Sequence, residues 1–432
     1  MSPGPPESGT WHRLHPLSPV VRAGRMVVPL LVVLTASVPG RSGAGSQVRP
    51  YDLALVAVVA LLSAVKWLVT RWKLDGVTLR IETGLLRRDS RQLPVTRIQA
   101  VDVVRPLLAR VLGLAELQVR LAGSRSTDAR LAYLSDDGAA ELRARLLAAH
   151  HGLDPATPEP PERLVAVVPA GRLVGSVVLS SASLLLAVAL AAVVITEVSS
   201  AVAVATGSTL AGTVLALASM AWRRLSSQFG FTVAESPDGI RIRRGLLGTV
   251  AETIPIRRVQ AVRMIQPLLW RPFGWCRLEV DVAGTRDREE GERSGEVRKA
   301  LLPVGHHDVA LRLLHTVLGN VAPPLTRPPG RARLKAPLSY HFLAAGHDAT
   351  MAVAVTGRIR KATTWVPLEK LQSVRRVQGP LQRRLSLATV HVDAAGRRVH
   401  AIFRDRPSAE ADRLVDTLST ASRTARHQSS TG

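Results

Sequence analysis

Histidine, aspartate and cysteine are the side chains from which catalytic and metal-binding chemistry is most often built, and here they are sparsely placed. His306, His307 and Asp308 are consecutive at the start of a helical pattern, and His391 and Asp393 share one face of an alternating run. Two imidazoles beside a carboxylate form a donor set for a metal ion, but polar residues at a helix start have a local use, and that use accounts for them better. In the internal repeat described below, His391 and Asp393 align with Gln118 and Arg120 and with Glu279 and Asp281, so no fixed chemistry occupies that face. Cys276 is the single cysteine; beside Trp275 in an alternating run it reads as a small core residue, and it excludes an intramolecular disulfide. His-Glu-x-x-His spacing, paired cysteines, a Gly-x-Ser-x-Gly elbow, a Walker loop and a Gly-x-Gly-x-x-Gly turn are all missing from the sequence. The chain is expected to be no enzyme, with no catalytic, cofactor or metal site.

The cations carry the stronger signal. Lys and Arg number 57 against 33 Asp and Glu, a formal net charge of +24 that calls for negatively charged partners. Part of the Arg excess is compositional, since Ala and Val are abundant too, as in a GC-rich genome. Arg97, Arg258 and Lys370 form one repeated basic column, and Arg110, Arg271 and Arg383 a second. A repeated Arg also has a structural use, bracing a loop by donating to its carbonyls. Arg87, Arg88, Arg91, Arg243, Arg244, Arg257, Arg358, Arg360 and Lys361 are the candidate contacts to anionic lipid. Each such charge contributes about 1 kcal/mol beside an anionic leaflet, so several together dock a domain. An aromatic content of 3% argues against a surface that stacks bases, and no nucleic-acid partner is expected.

These columns are positioned by a unit used three times. Gly84 to Gly123 aligns without a gap on Gly245 to Gly284 and on Gly357 to Gly396. Nine columns are identical throughout, beginning Gly84, Pro94, Gln99, Val101 and Leu108 and ending Arg110, Val119, Ala122 and Gly123. The motif recurs as Pro255, Gln260 and Arg271, then as Pro367, Gln372 and Arg383. Each copy opens on a Gly where the chain can turn, meets a Pro that cannot donate to a ladder, and continues in alternating apolar and polar residues, which predicts antiparallel strands. Asp136 to His150, His307 to Gly319 and Ala409 to Ser422 then carry apolar residues at helical spacing. A helix is thus expected to close each small, curved sheet.

The segment Gly84 to Val101, with its Leu-Pro-Val-Thr-Arg-Ile-Gln-Ala-Val, and its counterpart Ile254 to Val262, resemble the bacterial pleckstrin-homology (PH) domain of the second subfamily. The whole chain resembles the YdbT-like multi-PH membrane proteins. That resemblance implies an interaction module, protein partners that include a smaller single-PH-domain membrane protein, and a homo-oligomer as a further option. The third copy departs most, with Ser386 in place of Gly113 and Gly274, and Gly379 in place of Pro106.

Between the copies lie apolar runs. Met26 to Val38 and Leu53 to Thr70 predict one pair of membrane spans, and Leu173 to Thr196 with Ser199 to Trp222 a second, each member of the second pair long enough to cross as a helix. Arg172, Arg223 and Arg224 flank the second pair, whose turn has no Arg or Lys, which sets all three copies on the cytoplasmic side. The expectation is a multi-pass cell-membrane protein of α+β class, in which transmembrane helix hairpins alternate with three PH-like β-barrel or sandwich domains, each capped by a C-terminal helix. The expected boundaries are 1–25 (basic segment), 26–72 (hairpin), 73–150 (PH-like), 151–172 (Pro-rich linker), 173–222 (hairpin), 223–320 (PH-like), 321–332 (Pro-rich linker), 333–424 (PH-like) and 425–432 (tail). Its job is then to present the domains as a scaffold for protein assembly at the inner leaflet, or to sense anionic headgroups through the Arg faces, with nucleic-acid binding a remote third option.

Overall fold

The structure is a computed structural model that describes residues 10–21, 23–24, 50–75, 78–84, 89–121, 129–151, 162–180, 183–184, 187–188, 191, 203–237, 239–283, 300–319, 322–394 and 399–431. They divide into two compact units, one of Met1–Pro161 with Leu247–Thr253 and one of Glu162–Leu246 with Ile254–Gly432.

In chain order the first copy comprises β1 (His12–Arg13), α1 (Pro50–Val69), β2 (Arg71–Asp75), β3 (Thr78–Thr83), β4 (Asp89–Pro94), β5 (Ile98–Arg105), α2 (Leu107–Val111), β6 (Leu114–Leu121), β7 (Ala129–Ser135) and α3 (Asp136–His151). The second comprises β8 (Arg163–Val167), α4 (Ala170–Val178), α5 (Ala203–Gln228), β9 (Thr232–Ser236), β10 (Gly239–Arg244), β11 (Thr249–Ile254), β12 (Val259–Pro267), β13 (Trp275–Val282), β14 (Ala300–His306) and α6 (His307–Leu318). The third comprises β15 (Ala344–His347), β16 (Met351–Thr356), β17 (Arg360–Pro367), β18 (Leu371–Val377), α7 (Pro380–Arg384), β19 (Leu387–Ala394), β20 (Ala401–Pro407) and α8 (Ser408–Thr431).

The strands follow from alternation. On β3, Leu79 and Ile81 are buried while Arg80 and Glu82 point the other way, where Glu82 takes Arg71 at 2.9 Å and Arg80 at 3.0 Å. In the first unit β1-β2-β3-β4 form one antiparallel sheet, and β5, β6 and β7 pair in sequence. In the second unit β8, β9 and β10 pair in sequence, β18-β19-β20 form a three-stranded sheet, and a six-stranded sheet runs β14-β13-β12-β17-β16-β15. The closing helices press apolar stripes onto these sheets: Ala139, Leu142 and Leu146 on α3, Ala310, Leu313 and Val317 on α6, Ala411 and Leu418 on α8. Asp136 and Asp137 sit in the first turn of α3, where the helix dipole favours negative charge.

The membrane hairpins are not what the apolar runs build. Among the described residues no helix is long and apolar enough to cross a membrane, which overturns both hairpins and with them the multi-pass cell-membrane localisation. The uncharged run from Leu173 enters the nine-residue α4, about 13 Å long against the ~30 Å of a bilayer core, and most of the run beyond Ser180 lies outside the described residues. Leu173, Ser176 and Val177 on it are buried, and it packs against β14. The second run falls in α5, whose 26 residues interleave Thr, Ser and Gly with the apolar ones and run into Arg223 and Arg224. Helix α1 is broken in polarity by Asp52 and Lys66, and its last turn is docked, with the Trp67 indole donating to the Leu14 carbonyl at 2.9 Å. The segment Met26 to Val38 lies outside the described residues.

Candidate functional site

The repeated columns turn out to be backbone devices first. Gly84, Gly245 and Gly357 all take positive φ, at 109°, 117° and 89°, a region costly for any residue with a Cβ. Pro94, Pro255 and Pro367 each precede a single 3-10 turn, Val95–Arg97, Ile256–Arg258 and Leu368–Lys370, that redirects the chain from one strand to the next. The invariant Gln follows. The ladder shifts between Ile98 and Ala100, Val259 and Ala261, and Leu371 and Ser373, so Gln99, Gln260 and Gln372 each sit at a bulge. The first basic column braces the same corner: the Arg258 guanidinium donates to the Ala283 carbonyl, and Lys370 pairs with its neighbour Glu369 at 3.0 Å.

The strands on either side of that corner join one copy to the next. In the first unit, β11 of the second copy lies antiparallel on β5 of the first, with Thr249 opposite Arg105, Val250 opposite Val104 and Ala251 opposite Val103. In the second unit, β17 of the third copy lies on β12 of the second, with Lys361 opposite Gln266, Ala362 opposite Ile265 and Thr363 opposite Met264. Under the alignment of the copies these are the same three pairs, so one joint is built twice in one register. The second joint shares cores as well as hydrogen bonds: Trp365, Met351 and Val353 of the third copy belong to the apolar cluster of the second, and Ala261 of β12 belongs to that of the third.

The second basic column works here. Arg271 donates from its guanidinium to the Arg358 carbonyl, and the Leu268 amide donates to the Ile359 carbonyl at 2.8 Å, so the turn after one copy's β12 clamps the turn before the next copy's β17. The guanidinium of Arg383, the third member, has no hydrogen-bond or ion-pair partner among the described residues, and the residue is exposed. It stands beside β18, the counterpart of β5 and β12, which is the outer strand of its sheet. Gln372, Ser373, Arg375, Arg376 and Val377 on that strand are exposed, whereas Val262, Met264 and Ile265 of β12 are buried.

The candidate lipid contacts are scattered by the fold. Arg87 and Arg88 lie outside the described residues. Arg91 is paired with Asp89 at 3.2 Å, Arg243 with Glu162 at 3.0 Å, and Arg244 is buried. Arg257 is exposed on its 3-10 turn. Arg358, Arg360 and Lys361 are all exposed where the turn enters β17, and Ile359 among them is 70% exposed.

The residues with chemical potential are spread out as well. Burial and the nearby Asp308 push the Cys276 thiol up to about 12, so it stays protonated in the core. His306, His307 and Asp308 are exposed, and among the described residues no group of three or more His, Cys, Asp or Glu is placed to hold a metal ion. Asp393 accepts from Arg375 at 2.8 Å and Ser373 at 3.1 Å across the β18-β19 pair, with His400 at 3.4 Å. Partial burial pushes its carboxyl up, but these hydrogen bonds and charges win and hold it below the usual carboxylate range. His391 is lowered by burial and by Arg375, against the opposing pull of Asp393.

Comparison with protein families fits this triple construction. Residues 28–150, 170–321 and 309–421 each match the bacterial PH domain. The chain belongs to the bacterial PH-domain family. The first two matches take in α1, α4 and α5, so these apolar helices fall inside PH matches and not between them. The likeness is to the domain and carries no finer YdbT-like assignment. No curated protein and no solved structure matches the chain. Sequence reasoning missed the joints themselves. The signal was present in the strand after each 3-10 turn, where Met264 of β12 is replaced by Arg376 in β18 while the Arg before it, Arg263 or Arg375, is common to both.

Proposed function

We propose that the chain is a non-enzymatic scaffold whose three PH-like domains, spanning 73–150, 223–320 and 333–424, bind other proteins through the strand edges and turns that also join the copies to one another. The observation that carries this reading is the joint repeated in one register, because a surface that takes a strand from its neighbour twice is built for strand addition. PH domains are interaction modules, and the chemistry of this chain's titratable groups is spent on packing and surface ion pairs. Purification of the tagged full-length chain under native conditions is expected to bring a second polypeptide in fixed ratio; a chain that elutes alone at its own mass in every condition overturns the reading.

A second reading rests on the turn of Arg358, Ile359, Arg360 and Lys361, where three exposed cations flank an exposed apolar side chain, the composition suited to an anionic lipid surface. The full chain is expected to sediment with anionic vesicles and to be released by salt. Replacement of Arg358, Arg360 and Lys361 by Glu is expected to abolish sedimentation, and equal binding to neutral vesicles defeats this reading.

A further inference from the structure

β18 carries the same corner, bulge and following turn as β5 and β12, yet among the described residues it has no strand on its outer side. The cost is visible in exposure. Val377 is 45% exposed where its counterpart Ile265 is 3% exposed, and Arg383 is unpaired where Arg271 clamps a carbonyl. Edge strands with an unused ladder are templates for another chain.

Charge decides which chain. In the shared register a strand laid on β18 sets its residues opposite Val377, Arg376 and Arg375. The outer strand of the first copy, β4, is the obvious candidate from a second molecule, and it would bring Arg91 opposite Arg375. Like charges directly opposite destabilise a pair of strands. Arg375 and Arg376 are both exposed, Arg375 reaching Asp393 at 2.8 Å and Arg376 reaching Asp412 at 2.9 Å, and Arg383 and Arg384 nearby in α7 keep the net charge of this edge positive. The edge therefore selects against the chain's own β4 and for a strand that carries a carboxylate.

Building on the scaffold reading, we propose that β18 is the docking edge for an extended segment of another protein, added antiparallel in the register of the two internal joints, with an apolar side chain against Val377, an Asp or Glu opposite Arg375, and a turn carbonyl held by Arg383. Backbone hydrogen bonds supply the affinity and the carboxylate supplies the choice of partner.

The chain contains a natural probe. In the common register the sequence Gly245–Pro255 would set Val250 opposite Val377, Glu252 opposite Arg375 and the Leu246 carbonyl within reach of Arg383. A labelled synthetic peptide of that sequence is expected to bind the full-length protein. The Glu252→Lys peptide is expected to bind at least tenfold more weakly, as is the native peptide to Arg375→Glu protein. Pairing the Lys peptide with Arg375→Glu protein is expected to restore binding, which also shows that the variant is folded. Arg383→Met is expected to weaken the native peptide severalfold. Absence of binding, or binding indifferent to both charge reversals, overturns the proposal, as does concentration-dependent self-association that Arg91→Glu strengthens, which would make the occupant a second copy. If a native partner co-purifies equally with wild-type and Arg375→Glu protein, the scaffold stands and only the β18 assignment falls.

Discussion

β12 and β18 occupy the same place in two copies of one repeat, and their surroundings differ by a single added strand. With β17 alongside, Ile265 and Met264 are buried to 3% and 5% exposure and the outer face of β12 is part of a core; without a neighbour, Val377 and Arg376 face solvent. The side chains have followed the environment. The apolar pair on the covered strand is replaced by a Val and an Arg on the open one, as expected for an edge that must stay soluble until it is met. The backbone has not changed: the bulge, the 3-10 turn and the left-handed residue after the next short helix recur in all three copies, at φ 65° for Gly113, 63° for Gly274 and 50° for Ser386.

The largest test of this contrast is a matched truncation. Ile265→Ala empties a site enclosed by both copies and is expected to cost about 2–5 kcal/mol. Val377→Ala, at the aligned position, removes an exposed group and is expected to stay within about 0.5 kcal/mol. Chemical denaturation of the full chain, followed by the fluorescence of Trp365 and Trp270 in the shared cluster, reads both. Similar losses at the two positions would mean that β18 is covered after all.

A smaller effect separates the two arginines. Arg271→Met removes a charged donor from the Arg358 carbonyl at a partly exposed joint and is expected to cost about 1 kcal/mol. Arg383→Met is expected to change stability by less than about 0.5 kcal/mol while still weakening the peptide at β18. Equal destabilisation by both would assign Arg383 a contact within its own domain.

Much of this was legible in the residues. The strands around Pro94, Pro255 and Pro367 and the closing helices came from alternation and helical spacing, because a surface sheet or helix has one wet face and so writes its period into the chain. The 3-10 corner and the bulge were visible only as an unexplained Pro and Gln, since neither device has a hydrophobic period of its own. The joints were illegible for another reason. A strand covered on its edge by a neighbour keeps the same alternation as one that is not, so β12 and β18 look alike except for Met264 against Arg376. The apolar runs misled in the opposite direction. Hydropathy counts the length of the run from Leu173 but not what its side chains pack against, and on α4 Leu173, Ser176 and Val177 are buried in the domain.

The smallest expected effect distinguishes the third copy by charge. His391 stands where the first copy has Gln118, on the strand next to β18, and it is faced by Arg375, Asp393, Arg404 and His400. Burial and Arg375 lower its pKa, so between its folded value and the ordinary ~6.5 the unfolded chain binds the proton more readily. Stability from this source is complete above that ordinary value and declines as pH falls through the window below it. Asp393 is also lowered, so its contribution is complete above the ordinary carboxylate value of ~3.9 and is lost at still lower pH, as the folded carboxyl takes up its proton. Both groups are only partly buried near the surface, where solvent screens them, which keeps each term well under about 1 kcal/mol. Denaturation midpoints measured from pH 7 to 3 should show two shallow declines, with His391→Gln flattening the upper one and Asp393→Asn the lower. If His391→Gln instead makes the upper decline steeper, the imidazole is stabilised as a cation by Asp393, and the basic edge of β18 is less positive than its arginines imply.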